Sequence, residues 1–128
     1  MERKNFSSGT NWEAVAGYSR AVRLGNVVEV AGTTSVDHNG QLFGGNSPYM
    51  QAMYIFTKIE RALLEAGARL EDVVRTRMYV TDIKRWEEVA RAHGEVFGEI
   101  RPASTLVEVS ALVSPELLVE IEVTAIIS

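Results

Sequence analysis

The residues whose types and spacing could do chemistry lie on alternating stretches. In RPASTLVEV (Arg101–Val109) and LLVEIEVTAII (Leu117–Ile127) apolar residues alternate with carboxylates. This pattern predicts Glu108, Glu120 and Glu122 on one face of paired strands, with Val107, Val109, Val119, Ile121 and Val123 on the other. DVVRTRMYVT (Asp72–Thr81) alternates likewise, setting Val74, Thr76, Met78 and Val80 against Val73, Arg75, Arg77 and Tyr79. Further upstream Val28, Val30 and Gly32 oppose Glu29, Ala31 and Thr33. Together these stretches predict a sheet with one charged face, with Tyr18 and Arg20 close to its rim. Opposite charges on neighbouring strands offset each other, and Ala31, Thr33, Leu106 and Leu118 leave apolar gaps between them. Such a half-apolar, charge-patterned face suits a subunit interface, the alternative being a simply solvated face.

Other chemistries are poorly provided for. There is no cysteine, so disulfides, thiol nucleophiles and thiolate zinc sites are all excluded. The two histidines are far apart in character: His38 lies in a turn-rich loop, whereas His93 falls on the apolar stripe of a helix, where a packed core histidine is the expectation. The formal charge is -4, from 17 acidic and 13 basic residues with no basic cluster, which gives no electrostatic footprint for nucleic acid. The N-terminal stretch has no apolar core of a signal peptide and no later run approaches a membrane span, so the expected location is the cytoplasm, with no membrane partner. At 128 residues the chain is expected to form one domain, 1–128.

The elements that must position these residues follow from the same patterns. Residues 1–16 are expected to be an extended or loose arm. Tyr18–Arg23 and Val27–Thr33 form two strands joined at Leu24-Gly25-Asn26, and DHNGQLFGGNS (Asp37–Ser47) forms a loop. Ser47 followed by Pro48 starts a helix that runs to about Ala66, with Ala52, Ile55, Phe56, Ile59, Ala62, Leu63 and Ala66 as its apolar stripe and Gly67 as its stop. After the Asp72–Thr81 strand, Asp82 is expected to cap a second helix to Phe97, with Trp86, Val89, Ala90, His93 and Phe97 inward. The resulting order, ββαβαββ, contains two strand–helix–strand units. Right-handed crossovers lay both helices on one face of a mixed α+β sheet.

The segments GYSRAVRLGNVVEVAGTTS, LLEAGARLEDVVRTRMYVTD, RPASTLVEV and VEIEVTAI, taken together, resemble the Rid family, also called YjgF/YER057c/UK114, over nearly the whole chain. The resemblance implies a chorismate-mutase-like fold and a homotrimer with inward-facing sheets and three intersubunit clefts. It also implies hydrolysis of reactive 2-imino or enamino acids, released by pyridoxal-phosphate enzymes, to 2-keto acids and ammonia, with no metal or organic cofactor. In that chemistry an arginine grips the substrate carboxylate and a carboxyl group positions the attacking water.

Carried over residue by residue, Glu120 takes the place of the water-handling glutamate, Tyr18 that of the cleft tyrosine and Gly32 that of the glycine after the second strand. The P-A-R-[ST] motif reads Pro102-Ala103-Ser104-Thr105, so Ser104 stands at the arginine's position, and the resemblance is to a non-archetypal member. Ala31, Ala90 and Leu106 stand where the archetype has serine, asparagine and cysteine. Arg20 and Arg77 are the candidates to replace the arginine, the alternative for each being a salt bridge to Glu29, Glu108 or Glu122. The expected cleft therefore lies near Tyr18, Arg20, Thr33, Ser104, Thr105 and Glu120. Its expected use is an enamine or imine deaminase with altered substrate choice. The alternatives are a non-catalytic module that binds a metabolite or protects proteins and, against the charge balance, the endoribonuclease L-PSP activity of the family label.

Overall fold

The computed structural model describes residues 1–128 as a six-stranded mixed sheet with α2 (Pro48–Glu65) and α3 (Trp86–Phe97) as its long helices. The strands are β1 (Arg3–Phe6), β2 (Ala21–Leu24), β3 (Val27–Thr33), β4 (Val73–Val80), β5 (Ala103–Glu108) and β6 (Val119–Ile126), and a short helix α1 spans Asn11–Ala16. In space the order is β1-β2-β3-β6-β4-β5, antiparallel except for the parallel β4–β5 pair. Both strand–helix–strand crossovers read from the sequence are present. Residues 1–16, expected to be an extended or loose arm, contain a strand hydrogen-bonded to β2 and one short helix.

The α2 stripe is the one the spacing predicted. Ala52, Ile55, Phe56, Ile59, Ala62, Leu63 and Ala66 are all buried, and they meet Val28, Val30, Ile121, Val123 and Ala125 from the sheet in one cluster. The hydroxyl of Ser47 accepts from the backbone N–H of Met50 at 3.1 Å, so the predicted cap is made. Gly67 leaves the helix with φ of 89°, which a side chain would strain. Gln51 is wholly buried in this helix. Its amide nitrogen donates to the carbonyls of Gly45 and Glu116, and its oxygen accepts from the Leu118 N–H. That satisfies a polar group which would otherwise be costly in a core.

Four expectations are corrected. Asp82 caps a single 3-10 turn, Ile83–Arg85, by accepting from the Lys84 N–H, and α3 begins only after it. The inward stripe of α3 therefore starts at Val89 and continues through Ala92, His93 and Phe97, while Trp86 and Ala90 are exposed. At the start of β4 a register shift between Val73 and Arg75 buries Val73 and exposes Val74, reversing the expected pair. A second irregularity, between Val30 and Thr33, gives β3 an extra residue, so that Thr33 pairs with Ile121 and is 1% exposed, on the core side. Finally, β5 pairs with β4 in the register Thr76↔Ser104, Arg77↔Thr105 and Val80↔Glu108. This puts Ser104 and Glu108 on the helix-covered side and Thr105 and Val107 on the open side, the reverse of the alternation read for Glu108 and Val107.

Candidate functional site

The open face of the sheet carries the charged ladder expected of it, apart from Glu108. Thr124 donates to Glu29 at 2.6 Å, and Tyr79 donates its hydroxyl proton to Glu122 at 2.6 Å. That bond, helped by burial and the Glu122 charge, pushes the Tyr79 phenol above its ordinary pKa. Arg77 lies 3.9 Å from the same Glu122 carboxylate, and Arg75 donates to the Thr105 hydroxyl at 2.6 Å. These groups partner one another. Arg77 and Thr105, both predicted to bind substrate, are thus engaged within this ladder.

Glu120 differs from the rest of the face. It opposes Tyr79 across the β6–β4 ladder and lies over Gly32 of β3, where its carboxylate oxygen occupies the space a Cβ would need. The bulge at the end of β3 is responsible, since it turns Thr33 inward and leaves glycine beneath the carboxylate. The Glu120 carboxylate makes no hydrogen bond within the chain. Burial pushes its carboxyl above the usual range, the Arg20 guanidinium acts against that rise, and the Glu122 charge adds to it.

Arg20 completes the group. Its Nη2 donates to the Gly32 carbonyl at 2.6 Å, whereas its Nε is buried with no partner. Lys58 of α2 reaches toward the same corner. Its ammonium donates to the carbonyls of Thr34 and Val36 at 2.7 and 2.8 Å. Burial, with the Arg20 and Arg61 cations adding, pushes its pKa down to about 8. The sequence carried one signal for this corner, Gly32 followed by Thr33 at a strand end, because an isolated strand glycine marks a bulge or a close approach. For Lys58 there was none.

The remaining candidates lie apart from Glu120. Tyr18 is 41% exposed and lines a groove of about 400 Å³ beside the N-terminal arm, together with Phe6, Thr10, Glu13 and Ser19. Ser104 faces the other side of the sheet, bonded to Thr76. Thr33 donates its hydroxyl to the Ala31 carbonyl at 2.8 Å and is shut inside the core. Within one chain, then, Glu120, Gly32 and Arg20 come together, and Tyr18, Thr33, Ser104 and Thr105 do not join them. A carboxyl with a raised pKa beside a guanidinium that is only partly engaged can exchange a proton with water and hold an electronegative group. No group of three or more His, Cys, Asp or Glu side chains is arranged to hold a metal ion. No helix is long and apolar enough to cross a membrane.

Comparison with known proteins agrees with the fold. The family profile described as Endoribonuclease L-PSP matches residues 9–127. The crystal structure of Rv2704 from Mycobacterium tuberculosis, described as a member of the highly conserved YjgF/YER057c/UK114 family, superposes with a TM-score of 0.89 at 50% identity, covering 98% of this chain and 100% of that one. A RutC family protein of Pyrococcus abyssi is 36% identical over 84% of each chain. The 3-aminoacrylate deaminase RutC of Acinetobacter baylyi is 30% identical, again over 84% of each.

Proposed function

The chain belongs to the Endoribonuclease L-PSP family, the YjgF/YER057c/UK114 group, and from that premise we propose that it is a cytoplasmic homotrimer whose intersubunit clefts bind a small metabolite and hydrolyse an enamine or imine. The observation that carries this reading is Glu120: a half-buried carboxyl, free of hydrogen bonds, raised in pKa and facing Arg20. In the proposed reaction Glu120 passes a proton from the water that attacks the imine carbon to the imine nitrogen, giving a carbinolamine, and then the new hydroxyl's proton to the same nitrogen, so that the C–N bond breaks, ammonia leaves and a carbonyl remains. The Nη1 of Arg20, whose Nη2 is tied to the Gly32 carbonyl, holds an electronegative group of the substrate. The kinship with a 3-aminoacrylate deaminase supports a small enamino acid as the first substrate to try. Ser104 at the motif position supports a substrate choice different from that of the archetypal members. Tyr18, Ser104 and Thr105, which stand away from Glu120 in one chain, reach the cleft in this reading from a neighbouring copy, Ser104 by way of the exposed edge strand β5.

The test is ammonia release from freshly generated 3-aminoacrylate and 2-iminobutyrate. Release above the uncatalysed rate that drops roughly 100-fold or more in Glu120→Gln is the expected result, in line with the usual worth of a general acid–base. Release unchanged by that substitution overturns the role of Glu120.

A second reading, a metabolite-binding or protein-protecting module without turnover, is favoured by the engagement of Arg75 with Thr105 and of Arg77 with Glu122, which leaves few cations to hold a substrate carboxylate. Ligand-dependent increases in melting temperature with no ammonia formed would select it. RNA cleavage is disfavoured by the net charge of -4 and the lack of a basic stripe.

A further inference from the structure

Lys58 takes no part in the chemistry assigned to Glu120, and its surroundings are those of a reactive amine. Its side chain runs half-buried from the middle of α2 to the backbone that follows β3, where Nζ donates to the carbonyls of Thr34 and Val36 at 2.7 and 2.8 Å. Two further cations act on it, Arg20 just ahead of β2 and Arg61 three residues along α2. None of the three lies within salt-bridge distance of a carboxylate. The one acid that acts on Lys58 is Asp37, whose Oδ1 is already held by the N–H groups of Asn39 and Gln41 at 2.8 and 3.0 Å. A surface lysine is ordinarily a strongly hydrated point charge. This one is desolvated, beside like charges and without a counter-ion.

The hydrogen bonds fix what the nitrogen becomes when it loses a proton. An ammonium has three N–H groups, and two of them are spent on the Thr34 and Val36 carbonyls. Loss of the third proton breaks neither bond. The lone pair takes the position that proton leaves, the one direction no carbonyl occupies. Burial, with the Arg20 and Arg61 cations adding and Asp37 acting against them, brings the pKa down to about 8. The neutral amine is therefore populated near neutrality and oriented as a nucleophile. Arg61, which is exposed, and Arg20 give the same place a pull on anions.

We propose that Lys58 is a modification site for acyl phosphates, its amine attacking the acyl carbon while Arg20 and Arg61 attract the phosphate. The amine lone pair forms the C–N bond, the bond from the acyl carbon to the phosphate oxygen breaks, phosphate leaves with that electron pair, and the surplus amine proton passes to water. The products are an N-acyl lysine and inorganic phosphate. An amide nitrogen keeps a single N–H, so acylation takes the donor from either Thr34 or Val36. One of two ties between α2 and the stretch that follows Gly32 and Thr33 is lost.

Lys4, Lys58 and Lys84 are the only lysines, and the first and last are exposed, so they serve as internal references. The protein is incubated with acetyl phosphate and the three sites are quantified by peptide mass spectrometry. Near neutral pH Lys58 should be acetylated about tenfold faster than Lys84, its larger fraction of neutral amine being partly offset by the weaker nucleophilicity of a less basic group, as for thiols. Its rate should level off above about pH 8, while those of Lys4 and Lys84 keep rising toward about pH 10. The preference for Lys58 should shrink with N-acetylimidazole, a neutral donor of the same group, and in Arg61→Gln, which removes one of the two cations. Acetylation of Lys58 no faster than of Lys4 and Lys84, a rate that keeps climbing with theirs, or a preference that neither the neutral donor nor Arg61→Gln reduces overturns the proposal. None of these readouts depends on ammonia release.

Discussion

Gly32 and Glu120 share one volume: a Cβ built on Gly32 collides with the Glu120 carboxylate and lies 3.1 Å from its Cδ. The glycine is required by this close approach rather than by its backbone angles. Gly32→Ala should therefore displace the carboxyl, at little cost to the fold because the Cβ meets the end of a flexible side chain, and lower ammonia release at least as much as Glu120→Gln. Denaturant melts and the deaminase assay measure both effects. A Gly32→Ala protein of unchanged activity would show that Glu120 has room to spare.

The raised pKa of Glu120 has a signed consequence for stability. Because the folded state holds this proton more tightly than the unfolded chain, its stabilising contribution is full below the ordinary value of 4.5 and is lost as pH rises through the folded value. Melting curves from pH 4 upward should show that loss in the wild type and lack it in Glu120→Gln. Arg20→Met, which removes the cation acting against the rise, should push the Glu120 carboxyl higher still in a carbon-13 titration.

Glu13 predicts the opposite slope. Although burial alone would raise its pKa, hydrogen bonds from Ser8, Ser7 and Thr10 more than offset this and hold the carboxyl below its usual range. It receives the Ser8 hydroxyl, the Ser8 N–H and the Thr10 hydroxyl, and so ties the arm to α1. Its contribution is present above the unfolded pKa and lost as pH falls through the folded one. Glu13→Gln should cost about 1.5–3 kcal/mol, the range for hydrogen bonds to a charged group, and should expose the Ser7–Thr10 stretch to proteolysis before the rest unfolds.

Gln51→Leu should be more damaging than its apolar character suggests. Two backbone carbonyls and one N–H, of Gly45, Glu116 and Leu118, lose their partner at a fully buried position. An orphaned buried group costs about 1–3 kcal/mol, so a loss of several kcal/mol in chemical denaturation is expected, together with faster amide exchange at Leu118.

What could be read from the sequence was whatever repeats with a fixed period. The α2 stripe, its Ser47 cap and the Gly67 stop were legible because a helix of five turns averages over many residues, and the charged alternation of β6 was legible for the same reason. Thr33 was misplaced because one extra residue in β3 reverses every side chain beyond it, and no propensity announces the register of a bulge. Glu108 was misplaced for a different reason. Its carboxylate accepts from the Ile83 N–H at 3.0 Å, a tertiary partner invisible in a strand whose apolar and polar residues do not strictly alternate. The pairing of Arg20 with the Gly32 carbonyl spans a hairpin and a bulge, so the group around Glu120 could be guessed only residue by residue.

The sheet's two borders differ in kind. At one, β1 presents Arg3 and Lys4, both exposed, and charges of this sort discourage another strand from docking. At the other, β5 leaves one side of its backbone unpaired beside Val107, 42% exposed, with no cation along the strand. The molecule therefore has a direction of growth: extension is discouraged where the chain begins and permitted along the parallel edge. Removing the first six residues would uncover β2 and make both borders sticky.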